Sequence, residues 1–245
     1  MKVDTSYFTC MGYSLYTGDL KSLDSYGQTV INTINQYSFC IAERDPEFKK
    51  TLVQSDILLP DGIGIVMASN IINRKKIRKI SGADAHESLL QKTNEKGGKC
   101  FYLGASDATL KKIEQRCNQD YPNITVGTYS PPFKKEFSKE DNEKMVKLIN
   151  TFRPDVLFVG MTAPKQEMWV QGHKDILQTN IICSIGAVFD FYAHIVNRPS
   201  KIWRDLGLEW LGRLIKEPRR MWKRYLYFGP IFIYFIYLEK YKKQL

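Results

Sequence analysis

The sequence predicts an α/β fold with a mostly parallel central sheet flanked by helices, followed by a helical segment near the C-terminal end. Three observations lead to this prediction. Short apolar runs rich in β-forming residues alternate with longer helical patterns through the first 198 residues, as in folds built from repeated strand–helix units. Most of these runs are continuously apolar, which is typical of strands covered on both faces. After Pro199 the sequence becomes basic and aromatic.

Strands and helices can be assigned in order along the chain. Strands are expected at Thr29–Asn32, Asp56–Leu59, Cys100–Leu103, Ile124–Thr128, Val156–Val159 and Ile181–Ile185. Helices are expected at Ala83–Glu95, Ala108–Gln119, Lys139–Phe152 and Lys165–Leu177. Asp107 and Ser138 are capping residue types at two helix starts, and Pro164 suits the first turn of another. This alternation predicts a Rossmann-like sheet that binds ligands beyond the carboxyl ends of its strands.

The last part of the chain is expected to form a separate appendage. We expect an α/β domain over residues 1–198 and a basic, aromatic helical segment over residues 199–245. The apolar run from Tyr225 to Leu238 is 14 residues long, whereas a spanning helix needs about 20. Gly229-Pro230 should also break it. The segment is therefore expected to lie at the headgroup boundary of a membrane, or alternatively to pack on the domain or on another subunit.

Positive charge is concentrated in the same part of the chain. The formal net charge is +10. Between Arg198 and Leu245, twelve lysines and arginines stand against four acidic residues. Such a segment attracts polyanions, which are nucleic acid or an anionic membrane surface, unless it is only a solvated basic face. Nucleic acid is disfavoured because the apolar side chains form a block separate from the cations.

The cysteines, the histidines and the N-terminal residues indicate the cellular compartment and argue against a metal site. The five cysteines form no C-x-x-C pair and the three histidines are scattered, so no disulfide framework, zinc site or cofactor is predicted. A reduced cytosolic environment is expected, and Met1–Thr5 lacks the apolar stretch of a secretory signal. There is no Asp-x-Asp pair. A bound diphosphate would therefore be neutralised by cations and backbone dipoles.

The sharpest candidate for chemistry is Asp61, which follows a predicted strand in Leu58–Ile65. Gly62 and Gly64 allow the backbone there to turn tightly or to approach a ligand. A carboxylate at such a position can act as a general base when burial raises its pKa. The alternative is that Asp61 only caps the helix that begins near Gly62.

Three further strand ends carry small or polar residues. Gly104, in Cys100–Asp107, could present backbone N–H groups to a diphosphate. Gln166 follows Thr162 after the fifth predicted strand, and it could hydrogen-bond a sugar or a uracil edge, or belong to a solvent-facing helix start. Asp190, in Ile185–Phe191, is a second functional acid or the partner of a buried cation such as Arg198.

Taken in order, these motifs resemble the WecG/TagA/CpsF glycosyltransferase family, which makes bacterial wall and surface polysaccharides. The resemblance covers nearly the whole chain. It is carried by Thr33-Ile-Asn35, Asp45-Pro-Glu47, Pro60-Asp-Gly-Ile-Gly64, Ser81-Gly-Ala-Asp84, Phe101-Tyr-Leu-Gly104, Gly127-Thr-Tyr-Ser-Pro-Pro-Phe133, Gly160-Met-Thr-Ala-Pro-Lys-Gln-Glu167, Gly186-Ala-Val-Phe-Asp190, Arg198-Pro199, Gly207-Leu-Glu-Trp-Leu-Gly-Arg-Leu214 and Glu217-Pro-Arg-Arg220.

The resemblance implies transfer of a sugar, of N-acetylmannosamine type or a related hexose, from a UDP-sugar to an undecaprenyl-diphosphate-linked glycan. Such transfer inverts the anomeric centre without a metal. Asp61 would be the general base. The residues implied to bind donor or acceptor are Thr33, Asn35, Gly62, Lys79, Gly104, Tyr129, Thr162, Gln166 and Asp190. Lys79, beside Arg78, takes the place of a family arginine near the leaving diphosphate, which keeps the charge but loses the bidentate fork.

The family's C-terminal appendage is held to reach the membrane and to help close the active site. By this resemblance, the residues that would contact the diphosphate or the membrane are Arg198, Arg213, Arg219, Arg220 and Arg224. The resemblance thus implies a cytoplasmic enzyme, peripheral on the inner face of the cell membrane, that binds an anionic membrane surface but no nucleic acid. It can also self-associate as a homo-oligomer.

Two other functions remain open at this point. The α/β pattern also suits a soluble sugar-nucleotide enzyme such as an epimerase or dehydrogenase, although the dinucleotide fingerprint that this would need is missing. The net charge of +10 also suits a non-enzymatic module recruited to a membrane or to nucleic acid.

Overall fold

The computed structural model describes residues 6–22, 27–196, 203 and 207–242. Six strands form one parallel sheet: β3 (Thr29–Ile34), β4 (Ile57–Pro60), β5 (Lys99–Gly104), β6 (Thr125–Tyr129), β7 (Val156–Gly160) and β8 (Ile181–Ser184). Their order across the sheet is β4-β3-β8-β7-β5-β6. The predicted α/β fold with a parallel sheet is confirmed, and each of the six predicted strands is present with bounds within two residues.

A small antiparallel hairpin precedes this sheet, and the sequence analysis did not identify it. It consists of β1 (Tyr7–Cys10) and β2 (Tyr13–Tyr16). The connecting residues Met11 and Gly12 both have positive φ, at 51° and 81°. Such backbone angles match the two-residue turns that join twisted strands.

In the part of the chain that the structure describes, eight helices accompany the strands of the sheet: α1 (Gln36–Ala42), α2 (Pro46–Val53), α3 (Ile63–Asn73), α4 (Gly82–Glu95), α5 (Asp107–Asp120), α6 (Lys139–Phe152), α7 (Lys165–His173) and α8 (Gly186–Tyr192). Single 3-10 turns lie at Leu20–Ser22 and Lys174–Ile176. Ser138 caps α6 as predicted, through a capping box with Asp141. Ser106, and not Asp107, caps α5, because the Ser106 side chain accepts from the backbone N–H of Thr109.

The core lies on both faces of the sheet, which explains why the strands are continuously apolar. All five residues of β7 are buried. Successive side chains point to opposite faces of a strand, so Phe158 packs in one core cluster while Leu157 and Val159 pack in another. The first cluster includes residues of α4, α5 and α8, and the second includes residues of α6 and α7.

The C-terminal segment is helical and continues the molecule beyond the sheet. It contains α9 (Glu209–Lys216), α10 (Pro218–Trp222), a π-helical turn (Lys223–Tyr227) and α11 (Phe228–Lys242). Phe228, Phe232 and Ile236 of α11 are buried in a third core cluster with residues of α1, α2 and α3. One face of α11 therefore packs on the α/β core, as one of the sequence-based alternatives allowed.

The predicted break at Gly229-Pro230 is wrong. The helix continues through this pair, because Pro230 is the third residue of α11 and follows the π-helical turn. A proline in a first turn lacks an N–H that the helix does not require there, so the missing donor is tolerated. Over the described ranges, no helix is long and apolar enough to cross a membrane.

Candidate active site

A cleft opens at the carboxyl ends of β3 and β4 and is bounded on its other side by the C-terminal segment. It contains about 820 Å³ of non-protein space, part of it open to solvent. The α/β core contributes Asn35, Gln36, Tyr37, Asp61, Gly62, Ile63, Lys79, Ser81, Gly82, Ala83, Ala187, Val188 and Phe191. The C-terminal segment contributes Gly207, Glu209, Trp210, Arg213, Arg224 and Tyr225.

Asp61 lies in this cleft directly after β4. Its backbone N–H donates to the carbonyl of Ile34 at 2.9 Å, which continues the pairing of β4 with β3. The residue at the cap position of α3 is Gly62, with φ of 104°. Asp61 therefore lies one residue before the cap position. The backbone angle at Gly62 is one that residues with a side chain rarely adopt, so this glycine fixes how the chain leaves Asp61.

Tyr225 brings the C-terminal segment close to Asp61. Burial raises the pKa of the Tyr225 hydroxyl, and the negative charge of Asp61 adds to this rise while Arg213 and Arg224 oppose it. The Tyr225 ring also lies 5.8 Å from the ring of Trp210, measured between centroids. Residues more than 140 positions apart in sequence thus share one electrostatic environment.

Three cations line the cleft. The Lys79 ammonium pairs with the Glu209 carboxylate at 2.9 Å, which joins the α/β core to α9. The guanidinium of Arg213 lies 5.1 Å from the Phe191 ring centroid, and that of Arg224 lies 4.8 Å from the Tyr37 ring centroid. Rings in these positions attract a cation through their electron-rich faces.

The two arginines are buried enough to repel each other. Burial lowers the pKa of Arg224, and the positive charge of Arg213 lowers it further. The Nε of Arg213 is buried and has no hydrogen-bond partner in the part of the chain that the structure describes. Anionic groups placed between these guanidinium groups would relieve the repulsion and satisfy the buried donor.

Asn35 lines the cleft and also caps α1. Its Oδ1 accepts from the backbone N–H groups of Tyr37 at 3.0 Å and Ser38 at 3.1 Å. The carbonyl side of the amide is therefore engaged within the protein. Its amide nitrogen carries two donors, and these are the part of Asn35 that is suited to a ligand.

Gln166 lies at the start of α7, is buried, and does not line the cleft. Its Oε1 accepts from the backbone N–H of Gly186 at 3.2 Å, and its Nε2 donates to the Glu167 carboxylate at 2.8 Å. The alternative of a solvent-facing helix start is wrong for this residue. Gln166 instead connects the start of α7 to the start of α8, whose residues form part of the cleft wall.

Glu167 is a buried acid that the sequence analysis quoted only as part of a motif. Burial raises the pKa of its carboxyl group to about 7, although the Gln166 hydrogen bond and the Arg224 charge act in the opposite direction. Its Oε2 has no partner among the described residues. The sequence signal was a carboxylate in the first turn of a predicted helix, a common position for acidic residues because it favours negative charge.

Four predicted residues lie at other strand ends along the same edge of the sheet and outside the cleft lining. Thr33 is half-buried on β3, opposite Leu59 of β4. Gly104 ends β5 beside Gly160, where a side chain would meet the Gly160 carbonyl. Tyr129 ends β6, with the Lys144 ammonium 5.2 Å from its ring centroid. The fourth, Thr162, is exposed between β7 and α7.

Asp190 and the outer arginines also lie outside the lining. Asp190 pairs with Arg220 at 3.4 Å, and Arg220 pairs with Glu217 at 3.0 Å, so the acid joins α8 to α10. Arg219 is exposed on α10. Arg198, which was expected to contact the diphosphate or to pair with Asp190, lies outside the described residues.

The cleft contains residues that the sequence analysis did not single out. Gln36 and Tyr37 directly follow Asn35, so their proximity to it was the available signal. Phe191, Trp210 and Tyr225 add three aromatic side chains from two distant parts of the chain. Nothing local in the sequence distinguishes such aromatic residues from those that fill a core. Over residues 6–22, 27–196 and 207–242, no cluster of three or more His, Cys, Asp or Glu residues could hold a metal ion.

Comparisons with known proteins identify relatives over most of the chain. The profile described as "Glycosyl transferase WecG/TagA/CpsF family" matches residues 8–245. The chain is 31% identical, over 87% of its length and 81% of the relative, to the N-acetylglucosaminyldiphosphoundecaprenol N-acetyl-beta-D-mannosaminyltransferase of Bacillus subtilis strain 168. It is 30% identical to proteins of the same name from Bacillus spizizenii, over 83% of the chain and 77% of the relative, and from Staphylococcus aureus strain MW2, over 77% and 72%.

Proposed function

Because the chain belongs to the WecG/TagA/CpsF family of glycosyltransferases, we propose that it transfers an N-acetylmannosamine-type sugar from UDP to a polyprenyl-diphosphate-linked glycan. The names of the relatives support this choice, since they specify an N-acetyl-β-D-mannosaminyl group and an N-acetylglucosaminyldiphosphoundecaprenol acceptor. The reaction belongs to the synthesis of a bacterial wall polymer or surface polysaccharide.

The observation that carries the proposal is the combination of the Asp61 carboxylate with the cations Lys79, Arg213 and Arg224 in a single cleft. Asp61 acts as the general base that takes the proton from the acceptor hydroxyl. The resulting oxygen attacks the anomeric carbon on the face opposite the diphosphate, which inverts that centre. UDP leaves as the new glycosidic bond forms.

The cations stabilise the diphosphate as it leaves. Negative charge grows on the leaving group in the transition state, and donors that are already in position stabilise it without reorganisation. The guanidinium groups of Arg213 and Arg224 suit this role because their donors form planar forks. Lys79 lines the cleft whereas Arg78 does not, so Lys79 takes the place of the family arginine, with Glu209 holding its ammonium group. No metal is required for this chemistry.

The C-terminal segment, residues 199–245, serves as a membrane-docking appendage of the catalytic domain. The face of α11 opposite its buried residues carries Ile233, Tyr234, Tyr237 and Tyr241, all more than half exposed, and the helix ends in lysines. Aromatic and basic residues of this kind favour the headgroup region of an anionic membrane. Docking there, on the cytoplasmic face, brings the cleft to a lipid-linked acceptor.

The proposed reaction is tested by Asp61→Asn. Transfer from UDP-N-acetylmannosamine to a short-chain lipid-diphosphate acceptor should fall about 10²- to 10⁴-fold, which is the usual contribution of a general base. UDP binding, measured by calorimetry, should change little because the cations remain. Mass spectrometry of the product, repeated with other UDP-sugars, identifies the donor.

A matched control is Asp107→Asn, at an exposed position on α5, which should leave transfer unchanged. Full transfer by Asp61→Asn would remove Asp61 as the base. Absence of any transfer by the wild-type protein with all UDP-sugars would contradict the proposed function itself.

A further inference from the structure

A second basic segment lies far from the C-terminal end. Residues 62–83 contain Arg74, Lys75, Lys76, Arg78 and Lys79 and no acidic residue. This segment forms α3 and the connection to α4. Lys79 pairs with Glu209 in the cleft. The other four cations are exposed and have no ion pair to any described residue, although the Lys75 ammonium lies 4.5 Å from the centroid of the Phe8 ring.

The outer face of α3 leads from the cleft to these cations. Ile65, Ala68, Ser69 and Ile72 are buried. On the opposite face, Met67 is 51% exposed and Ile71 is 39% exposed. They are four residues apart and therefore adjacent on one side of the helix, and Arg74 ends the helix one turn later. Exposed apolar side chains next to cations are typical of helices that lie at a membrane interface.

The outer face of α3 continues onto α11. The ring of Phe232 lies 3.3 Å from the position that a Cβ at Gly64 would occupy. Ile71 follows Gly64 by seven residues, or about two turns, and so lies on the same flank of α3. Beside Phe232, Ile233 is 66% exposed. The two neighbouring helices thus both present exposed apolar residues followed by cations.

The position of α3 relates this surface to the reaction. Ile63, the first residue of α3, lines the cleft two positions after Asp61. Gly207 approaches Ile63 so closely that a Cβ at Gly207 would lie 3.2 Å from the Ile63 side chain. The start of α3 and the C-terminal segment therefore both line the cleft, and they contact each other there.

We propose that α3 and the Arg74–Arg78 segment form a second membrane-contact surface, which binds anionic phospholipid bilayers together with α11. Contact through both α3 and α11 holds the cleft close to the bilayer, where a polyprenyl-linked acceptor is anchored. The proposal rests on the proposed function for its biological purpose, but the lipid binding itself does not depend on catalysis.

Charge favours an anionic bilayer over the other possible occupants of this surface. A second copy of the chain would bring two segments with the same excess of positive charge together, and such juxtaposition is costly. Nucleic acid is bound by cations interleaved with stacking aromatic rings, whereas Met67 and Ile71 are aliphatic. An anionic bilayer accepts both the aliphatic side chains and the cations.

The test is co-sedimentation of the full-length protein with vesicles of phosphatidylglycerol and phosphatidylcholine. Arg74→Asn combined with Lys76→Gln should weaken binding to the anionic vesicles by about 25-fold, since each cation near such a surface contributes about a fivefold factor. Asparagine is chosen at position 74 because it tolerates the left-handed backbone found there. Met67→Ser with Ile71→Ser should also weaken binding to the vesicles. Because this loss is apolar, its size should stay the same when the salt concentration is raised.

The matched controls lie on the other side of the molecule. Lys111→Gln with Lys112→Gln, on α5, removes two exposed cations near the opposite edge of the sheet, and Ile176→Ser removes an apolar side chain that is 57% exposed. Both should bind vesicles like the wild type. Transfer to a water-soluble acceptor should be unchanged in every variant, which shows that each is folded.

Two results would overturn the proposal: vesicle binding by the α3 variants that equals the wild type, or a change in sedimentation-velocity mass without a change in vesicle binding. The second would identify α3 as an interface between copies. Failure of the proposed function is distinguishable, because it would appear as absent transfer by wild-type protein whose vesicle binding still depends on α3.

Discussion

At the scale of single residues, the most unusual environment is that of the buried pair Gln166 and Glu167. A buried carboxylate is costly unless it is paired or hydrogen-bonded. Glu167 has one hydrogen bond, from Gln166, and its second oxygen has no partner among the described residues. The result is a carboxyl group whose pKa is raised to about 7. Gln166 also accepts a hydrogen bond from the backbone N–H of Gly186. The protonation state of Glu167 is therefore linked, through Gln166, to the start of α8, whose residues form part of the cleft wall.

The raised pKa predicts a specific pH dependence of stability. The folded protein binds the Glu167 proton more tightly than the unfolded chain does, so this contribution to the free energy of unfolding decreases as pH rises from about 4.5 to about 7. The total decrease is about 3 kcal/mol. Glu167→Gln removes the titration. Urea unfolding at a series of pH values should therefore show the wild type losing stability relative to the variant over this range.

The control for this prediction is Glu95→Gln, at an exposed position near the end of α4. The difference in the free energy of unfolding between Glu95→Gln and the wild type should stay constant with pH. Parallel stability curves for the wild type and Glu167→Gln between pH 4.5 and 7.5 would contradict the prediction.

At the scale of elements, α11 has two distinct faces with two distinct roles. Phe232 contacts Phe39 of α1 with ring centroids 5.3 Å apart and planes at 80°, and Phe235 contacts the same ring at 5.5 Å. Edge-to-face pairs of this kind add to the stability gained from burial. The opposite face is exposed and aromatic. The helix therefore acts both as part of the core and as a surface, and this is why its composition alone did not decide between packing and docking.

Phe232→Ala tests whether α11 is part of the cooperative core. The substitution leaves a cavity among α1, α3 and α11, and it should lower the free energy of unfolding by about 3–5 kcal/mol in a single transition. Ile233→Ala, at the adjacent exposed position, should change stability by less than about 0.5 kcal/mol. Urea unfolding followed by fluorescence and by circular dichroism measures both. An early, separate transition of the tail in the wild type would show that it folds independently.

At the scale of the whole molecule, the cleft exists only because two distant parts of the chain meet. The α/β core supplies Asp61 and Lys79, and the C-terminal segment supplies Arg213, Arg224 and Glu209. The Lys79–Glu209 and Asp190–Arg220 pairs join the two parts at separate points. Pairs that are partly exposed contribute little energy by themselves. Their effect is on orientation, since they restrain α9 and α10 relative to the α/β core.

Arg224→Gln tests the contribution of the C-terminal segment to the reaction. Loss of one positioned guanidinium should lower kcat/KM for transfer to a soluble acceptor about 10²-fold. Arg224→Lys should recover only part of this loss because an ammonium group lacks the planar fork. Lys147→Gln, an exposed position on α6, is the control. If Arg224→Gln had the same kcat/KM as the wild type with a soluble acceptor, the C-terminal segment would act in membrane docking only.

The central part of the fold followed from local sequence information. The predicted bounds of α6 match the observed ones, Lys139–Phe152, because its cap, its acidic first turn and its apolar spacing are all encoded within the helix. The strands of the parallel sheet were equally clear, since burial on both faces favours a continuous apolar run, whereas the hairpin of β1 and β2 was missed. By the same reasoning Asp61 was placed at a strand end, where a ligand site is expected. Those features depend on neighbouring residues only.

The tertiary structure decided everything that depends on which surfaces meet. The residues next to Gln166 in sequence do not indicate whether its side chain faces solvent or the interior. Its buried position and its hydrogen bond from Gly186 depend on how α7 and α8 pack. Arg213 and Arg224 line the cleft, whereas Arg219 is exposed. This arrangement follows from the packing of the apolar face of α11 against α1 and α3. Such contacts join residues far apart in sequence, so no local period or cap encodes them. The sequence thus determined the sheet and the position of Asp61, and the packing of the C-terminal segment determined which cations accompany it.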